Sequence, residues 1–575
     1  MEAIEALQNT LPTYANVFIA TMRYAAPILA LLILLRSALP LVRFRREPEI
    51  WAWLRMSDGE KVAITHWENV IGRDKNSDVV IDLATVSRSH AVLTRYDDGS
   101  WSISEVEDSG GVKVNGKDII VHALKKDDVI TIGGIEMTLQ PISPQQEKRL
   151  AQIRTKASSF PATFANLMLL SIFQLLICIG FIMTGTKEFI HAYVLGFGGI
   201  MLSQWFLFLF YIFIRRPAFE VETIAFFLCT MGMAAICAAA PDDAVKQMIS
   251  MVLGVGVFLA VGWSLRDLER AKKIRYIAAI GGVGLLLATL LFGEVIDGAR
   301  NWILIGGMSI QPSELSKVCF VFVGASTLDL IMTKKNLIIF IAYSLLVCGC
   351  LAIMSDFGAA LIFFCAFLVI AYMRSGSVGT VTLAITSLVF AGVVILKFAP
   401  HAVSRFANWR HIWEDPTGGG YQQTQALIRM ASGGLVGLGI NQGWRGYPSM
   451  PSPTSDVVIA TIGEEWGLIM VVLIMLSIVA LALFSVRCSS MGRSSFYTIG
   501  SCTAATILVT QVILNALGTV DVVPFTGVTF PFLSNGGSSM MCVWGLLGFI
   551  KAADTRQNAS FAVRLLKRKG GEPGE

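Results

Sequence analysis

"PSPTSDVVIATIGEEWGLIMVVLIMLSIVALALF", residues 451–484, passes from a Pro- and Ser-rich turn through Asp456 into an apolar run whose only acids are Glu464 and Glu465. From Val457 to Phe484 the run is long enough to cross a bilayer, for which about 20 apolar residues suffice. A carboxylate at the lip of such a helix, with two more inside it, is costly unless it is partnered or used. The reading of this stretch therefore sets both the solvent of the fold and the first candidate for chemistry.

The same pattern recurs along the chain. Of 575 residues 54% are hydrophobic and 15% charged, where soluble domains carry charge on about a quarter. Further helical spans are expected near 16–36, 163–184, 189–214, 220–240, 247–265, 274–293, 312–332, 336–354, 357–373, 379–397, 496–518 and 537–553, about thirteen with the quoted one. The fold class is a polytopic α-helical membrane protein with a small all-β domain inserted near its start. A net charge of +5 is too small and too dispersed for a nucleic-acid partner. The ten cysteines show no zinc-ligand spacing and read as small apolar filler. No metal site is expected, and a divalent cation is left open.

Basic residues set the orientation. "RSALPLVRFRR", "RR" at 215, "RDLERAKKIR", "TKK" at 333, Arg374, "VRCSSMGR" and "RLLKRK" fall on every second segment between spans. Lys and Arg near span ends stay cytoplasmic. One topology satisfies all of them: N-terminus outside, β domain and C-terminus inside. The first span has no basic region before it and reads as an anchor, not a cleaved signal. Three long segments then share the outer face: "EVIDGARNWILIGGMSIQPSEL" (294–315), residues 398–456, and "GTVDVVPFTGVTFPFLSNGGSS" (518–539). Long loops of this kind are where site residues concentrate.

Five strings within this region are diagnostic in order: "GARNWILIGGMSIQPSELSK", "SDFGAALI", "GGGYQQTQALIRMASGGLVGLG", "SDVVIATIGEEWG" and "GVTFPFLSNGGSS". Over about residues 220–555 the chain resembles the shape, elongation, division and sporulation (SEDS) family, the FtsW/RodA/SpoVE type. The resemblance implies a peptidoglycan glycosyltransferase that polymerises lipid II on the outer membrane face. It would be inverting, with undecaprenyl pyrophosphate as leaving group. Its partners would be lipid II, the growing glycan strand and a class B penicillin-binding protein transpeptidase, and its home a bacterial cytoplasmic membrane.

Such a transfer needs a base for the acceptor hydroxyl and cations for the departing pyrophosphate. Asp456 matches the family's proposed catalytic aspartate. Capping of the next helix is the alternative reading of "SPTSD". The family commonly has Pro-Glu-x-His-Thr-Asp here, and this chain has Pro451, Ser452, Pro453, Thr454, Ser455, Asp456. The resemblance also carries substrate-binding roles to Arg300, Trp302, Arg405, Gln422, Gln425 and Ser534, and Glu464 is a candidate as an intramembrane carboxylate. Arg410, Arg429 and Arg445 are further cations of the long segment. Glu314 and Lys317, three residues apart, share a helix face and are expected to form a structural ion pair.

From about 48 to 142 the sequence changes character. Short alternating runs such as "VVIDL", "HAVLTRY", "SWSISEV" and "DVITIGG" are broken by "DDGS" and "NGKD", the pattern of a small antiparallel β domain. "VIGRDKNSDVVIDLATVSRSHAVL" resembles a forkhead-associated (FHA) domain, whose loops bind phosphothreonine. Arg73 and Ser87 would hold phosphate by charge-assisted hydrogen bonds, Arg88 adds charge, and His90 braces the loop. The family's peptide-fixing Asn is replaced by Gly110, and Asn115 stands at the later position. The implied partner is a phosphothreonine-containing protein.

The expected organisation is an N-terminal anchor (1–47), the FHA-like sandwich (48–142), a linker (143–162), two extra membrane helices (163–219), the glycosyltransferase core (220–555) and a basic cytoplasmic tail (556–575). Two other function classes stand beside the enzyme. One is a lipid II flippase or transporter, since many spans with intramembrane acids suit transport. The other is an inactive scaffold that recruits cell-wall synthesis partners.

Overall fold

The computed structural model describes residues 2–43, 50–75, 77–96, 99–106, 110–143, 145–146, 158–296, 299–305, 308–327, 334–375, 378–398, 403, 406–443, 450–489, 494–556 and 559. A 41-residue helix, α1 (Glu2–Val42), precedes the β domain. After it come α2 (Phe160–Thr184), α3 (Ile190–Phe213), α4 (Glu220–Ala239), α5 (Ala244–Leu265), α6 (Leu268–Phe292), α7 (Pro312–Thr327), α8 (Lys334–Ile353), α9 (Phe357–Ser375) and α10 (Val378–Phe398). The chain continues through α11 (Tyr421–Gly433), α12 (Val458–Ser489), α13 (Ser495–Thr519) and α14 (Gly537–Ala552). Every apolar segment expected to span is helical over its described residues. Among the described residues, 8 helices are long and apolar enough to cross a membrane, and 338–353, 357–373 and 537–552 are shorter apolar helices.

Sequence explains which helix is central. From Glu220 to Cys237 every residue of α4 is buried, as expected of a helix that is apolar on all sides. Polar side chains join the extra helices to it: Gln174 Nε2 donates to Gln204 Oε1 and to Thr230 Oγ1, both at 3.0 Å, tying α2 to α3 and α4. Amide bonds between helices work this way where no water competes.

The second half of the bundle turns on an interruption. α12 has non-helical geometry at Gly467 (φ 81°, ψ 171°), a left-handed conformation that glycine adopts without strain. In an unbroken helix Leu468 and Ile469 would donate to the carbonyls of Glu464 and Glu465. Here Leu468 N donates to Gly434 O (2.9 Å) and Ile469 N to Leu435 O (3.1 Å). The two abandoned carbonyls accept instead from Leu438 N (2.9 Å) and Gly439 N (3.0 Å). The exchange is bond for bond, so the break leaves these four groups satisfied. Gly437 packs directly against the backbone of Glu465, where no Cβ would fit. The extra helices hold this segment from behind: Arg23 Nε of α1 donates to Gly437 O (2.7 Å), and Asn441 Nδ2 donates to Thr184 O at the end of α2 (3.0 Å).

The β domain is a sandwich of two sheets. One runs in spatial order Lys61–Ile64, Ala52–Met56, Ile135–Pro141, Val129–Ile132, Val112–Val114, Lys117–Ile119. The other runs Val79–Val80, Glu68–Gly72, Ala91–Arg95, Trp101–Glu105, Val121–Leu124. Leu54, Ile64, Ile71, Leu93, Ile103, Ile130 and Ile132 fill the space between them, each with no exposed surface. The domain rests on the bundle through Glu68, whose carboxylate accepts from Ser495 N (2.8 Å), Ser494 Oγ (3.0 Å) and the Ser495 hydroxyl. A carboxylate at the first turn of α13 also complements the helix dipole.

Ion pairs close the same end of the bundle. Lys551 of α14, with no exposed side chain, donates to Ala218 O (2.9 Å) and pairs with Glu222 of α4 (3.1 Å), which also accepts from Tyr211 Oη (2.7 Å). Arg556 is shared by Asp554 (2.7 Å) and Glu220 (3.2 Å). Removing one partner of such a pair strands a buried charge, at a cost of about 3–5 kcal/mol. Lys551→Met is therefore expected to lower the thermal unfolding midpoint of the detergent-purified protein sharply. Adding Glu222→Gln should restore most of it, because the stranded charge is then gone.

Candidate active site

Helix connectivity gathers the candidate residues. α5, α7, α9, α12 and α14 all begin on the face opposite the β domain, just after Asp243, Gln311, Asp356, Asp456 and Gly536. Five helix N-termini in one layer turn their positive dipole ends to the same space. The segments between them are laced together. Asn535 Nδ2 donates to Asp243 Oδ2 (3.0 Å), Gln247 Nε2 to Ser534 O (3.2 Å), and Gln311 N to Ser538 Oγ (3.1 Å).

Asp456 lies half-buried in this layer, two residues before α12. Its position is fixed through its backbone. Asn515 Nδ2 of α13 donates to Asp456 O (2.8 Å) and to Val528 O (2.7 Å), joining the two loops that meet here. Ser534 Oγ donates to Ser455 O (2.6 Å) and accepts from Phe530 N (2.7 Å). Asn535 N donates to Thr454 O (2.8 Å). Gly527 (φ 65°) passes beside the carboxylate, and a Cβ there would sit 3.5 Å from Asp456 Oδ2. Where the family pattern has Glu and His, this chain has an exposed Ser452 with φ 48° and a buried Thr454. The turn is held by main-chain bonds from its neighbours, which do not depend on those two side chains.

The other candidates fall into groups. Arg300 and Trp302 stand on the middle strand of a three-stranded sheet, Glu294–Ile296, Ala299–Ile305, Met308–Ile310. Arg300 is exposed, with Nη1 donating to Leu290 O (3.2 Å), and Trp302 is half-buried. This sheet meets the layer through Asp356, whose Oδ2 accepts from Gln311 Nε2 (3.3 Å) and Asn301 Nδ2 (3.4 Å) while its Oδ1 caps α9 at Ala359 N (3.0 Å). Gly358, next in that turn, packs on Thr526 and Val528, which flank the glycine beside Asp456. Gln422 Nε2 donates to Pro451 O (3.2 Å), five residues before the aspartate, and Gln425 Oε1 is buried with no protein partner. Arg405 and Arg445 lie outside the described residues.

Two assignments acquire a different physical role and a third keeps its own. Ser534 is 3% exposed, with its hydroxyl engaged in the clasp just described, so it positions loops and presents little to a substrate. Glu464 is 1% exposed and accepts from Arg429 (3.4 Å) at the α11–α12 junction, a structural ion pair inside the packed break. Glu314 and Lys317 form the buried pair their spacing implied. Sequence reasoning missed Asn515, Gln247 and Asp243. A polar amide inside an apolar span, one turn from its end, was the available signal for the first.

In the β domain the loops after Gly72 and around Ser87 come together: Arg73 N donates to Ser87 O (2.9 Å), and Asp74 N to Arg88 O (3.1 Å). Arg73 and Arg88 are exposed and Ser87 half-buried. His90 is buried beneath them, with Nδ1 accepting from Ser87 N (3.1 Å) and Nε2 against Gly111 O (3.1 Å), so these partners select the Nε2–H tautomer. Asn115 is elsewhere. It sits at a hairpin tip (φ 51°), with Nδ2 donating to Asp128 (2.8 Å) and Oδ1 accepting from Val129 N (3.0 Å). The Lys125 N–H, Asn115 and His122 together hold the Asp128 carboxyl below the usual carboxylate range.

The FtsW/RodA/SpoVE family model, described as "Cell cycle protein", matches residues 223–559, more than half of the chain. The chain belongs to this family. An FHA-domain model matches residues 69–133. Among curated relatives, the peptidoglycan glycosyltransferase RodA of Mycobacterium tuberculosis is 28% identical over 325 residues, 53% of this chain and 69% of that one. The probable peptidoglycan glycosyltransferase FtsW of Wigglesworthia glossinidia brevipalpis is 28% identical over 302 residues, 50% of this chain and 77% of that one. A solved chain from a peptidoglycan synthase complex is 23% identical, covers 58% of this chain and 96% of its own, and gives a TM-score of 0.48. Membership covers the whole of the five-N-terminus layer and the Asp456 clasp.

Asn515→Leu tests that clasp directly. It deprives two buried carbonyls of their donor, a loss of about 1–3 kcal/mol for each group left unsatisfied. The expected outcome is a lower unfolding midpoint and faster hydrogen exchange at 451–457 and 524–530, with exchange in the β domain unchanged.

Proposed function

We propose that the chain is a peptidoglycan glycosyltransferase that polymerises lipid II at the outer face of a bacterial cytoplasmic membrane, while its FHA-like domain reads phosphothreonine on the inner face. The observation that carries the reading is Asp456, half-buried and pinned through its backbone in a layer of helix N-termini, within the segment that matches the family. In this reading Asp456 takes the proton from the acceptor sugar hydroxyl. The sugar oxygen forms a bond to the anomeric carbon of the donor, and the bond to undecaprenyl pyrophosphate breaks with its electron pair on the departing phosphate. Attack from the opposite face inverts that carbon.

A pyrophosphate leaving group needs positive potential that exists before the reaction starts. The helix N-termini supply it, since anions bind where free N–H groups and dipole ends converge. Arg300 adds a guanidinium at the rim, with only one of its donors bonded to Leu290. A class B transpeptidase partner and the growing glycan strand come to this reading from the family resemblance. Orientation rests on the basic residues between spans, which the sequence pattern assigns to the same side as the β domain.

Purified protein given lipid II, with its transpeptidase partner present, is expected to make glycan strands. Asp456→Ala should lower the rate about 10²–10⁴-fold, the usual contribution of a positioned base, without changing the unfolding midpoint. Equal rates in both versions would overturn the base assignment, and transport of lipid II without polymerisation would favour a flippase.

For the inner domain, binding of phosphothreonine peptides to the full-length protein is expected to fall at least tenfold in Arg73→Ala, because a charge-assisted hydrogen bond is lost. Unphosphorylated peptides should not bind. Unchanged affinity in the variant would discard the phosphate reading.

A further inference from the structure

A cavity of about 220 Å³ opens between α1, α2 and α4 at the β-domain end of the bundle, away from the layer that holds Asp456. Arg36 of α1, Thr163 and Asn166 of α2, and Phe219 and Glu220 at the start of α4 line it. Asn166 Nδ2 donates to Ser37 Oγ (2.8 Å), and that hydroxyl donates to Ile33 O (2.9 Å), which fixes the orientation of the amide. Asn166 Oδ1 is then left as a buried acceptor without a protein partner, and Thr163 Oγ1 is buried and unpartnered as well. Both residues are 5% exposed.

Charge is arranged across the same space. Arg36 is exposed at the rim. Glu220 lies at the base, where its carboxylate accepts from Arg556 and from Ser158 N. A cation at the mouth and two unused oxygen acceptors beside a carboxylate below match a ligand that carries a phosphate outside and an N–H cation inside.

Depth identifies the source of that ligand. Arg36 is six residues before the end of α1, about 9 Å along the axis, the level of the interface and not of bulk water. One turn further into the membrane on the same stripe, Leu32 is 43% exposed. A headgroup seated at Arg36 leaves its acyl chains along that apolar surface.

We propose that this cavity is the headgroup site of an aminophospholipid, with its phosphate on Arg36 and its ammonium donating to the oxygens of Asn166, Thr163 and Glu220. A choline headgroup has no N–H to donate, and a glycerol headgroup brings no positive charge for Glu220. Occupancy ties three parts of the chain together. Ser158 N, at the end of the segment that follows the β domain, donates to the same Glu220 carboxylate (3.2 Å) that Arg556 engages near the C-terminal end of α14.

Native mass spectrometry of the delipidated full-length protein tests this. Titration with phosphatidylethanolamine should show one tightly held lipid, at least tenfold tighter than phosphatidylcholine or phosphatidylglycerol. Arg36→Gln and the near-isosteric Thr163→Val should each weaken it about tenfold, and Thr163→Val should leave the unfolding midpoint unchanged. Soluble phosphoethanolamine should bind far more weakly than the lipid. Equal affinity for all three lipids, no retained lipid at all, phosphoethanolamine matching the lipid, or both variants binding like the parent would each overturn the proposal.

Discussion

A backbone amide inside a bilayer has no water to turn to, and the interruption of α12 at Gly467 exists only because another segment replaces each bond it loses. Leu468 and Ile469 donate to Gly434 and Leu435, while Leu438 and Gly439 donate to the carbonyls of Glu464 and Glu465. The exchange fixes where α11 ends and where the long loop meets α12. Since Asp456 lies two residues before α12, its place in the bundle follows from that pairing. The buried Glu464–Arg429 ion pair belongs to the same junction. It explains how an acid so deep in an apolar run is tolerated.

The site face obeys the same constraint at its edge. Loops there are held by side-chain amides and hydroxyls that reach main-chain atoms: Asn515 to Asp456 and Val528, Ser534 to Ser455, Gln422 to Pro451. Such bonds position a turn through its main-chain carbonyls. Two helices in front of the family core reinforce the arrangement from behind, α1 through Arg23 and α2 through the Thr184 carbonyl that accepts from Asn441.

At the other end the β domain is oriented by one carboxylate. Glu68 opens the strand that ends at Gly72, and the phosphate-loop candidates Arg73 and Ser87 lie past the far end of that strand. A five-residue strand is about 13 Å from first to last residue. The contact with Ser494 and Ser495 therefore leaves the exposed Arg73 and Arg88 clear of the bundle. The bundle contact and the candidate phosphate loops occupy opposite ends of one sandwich.

The sequence by itself determined the membrane class, the helical segments and the β insertion, and it singled out Asp456 as the candidate base. These depend on hydrophobic run length, alternation and short ordered motifs, all of which are local. It also showed that Glu314 and Lys317 pair, because three residues along a helix bring two side chains together. Only the tertiary structure decided that Glu464 pairs with Arg429, that Ser534 is a clasp, that Asn115 braces a hairpin, and that Asn515 holds the aspartate. In each case the partner is remote in sequence or placed by a turn, and nothing in a one-dimensional pattern states which polar groups will meet. The glycines at 434, 437, 439 and 467 were visible as glycines. Their purpose became legible only when the two backbones that need them were seen in contact.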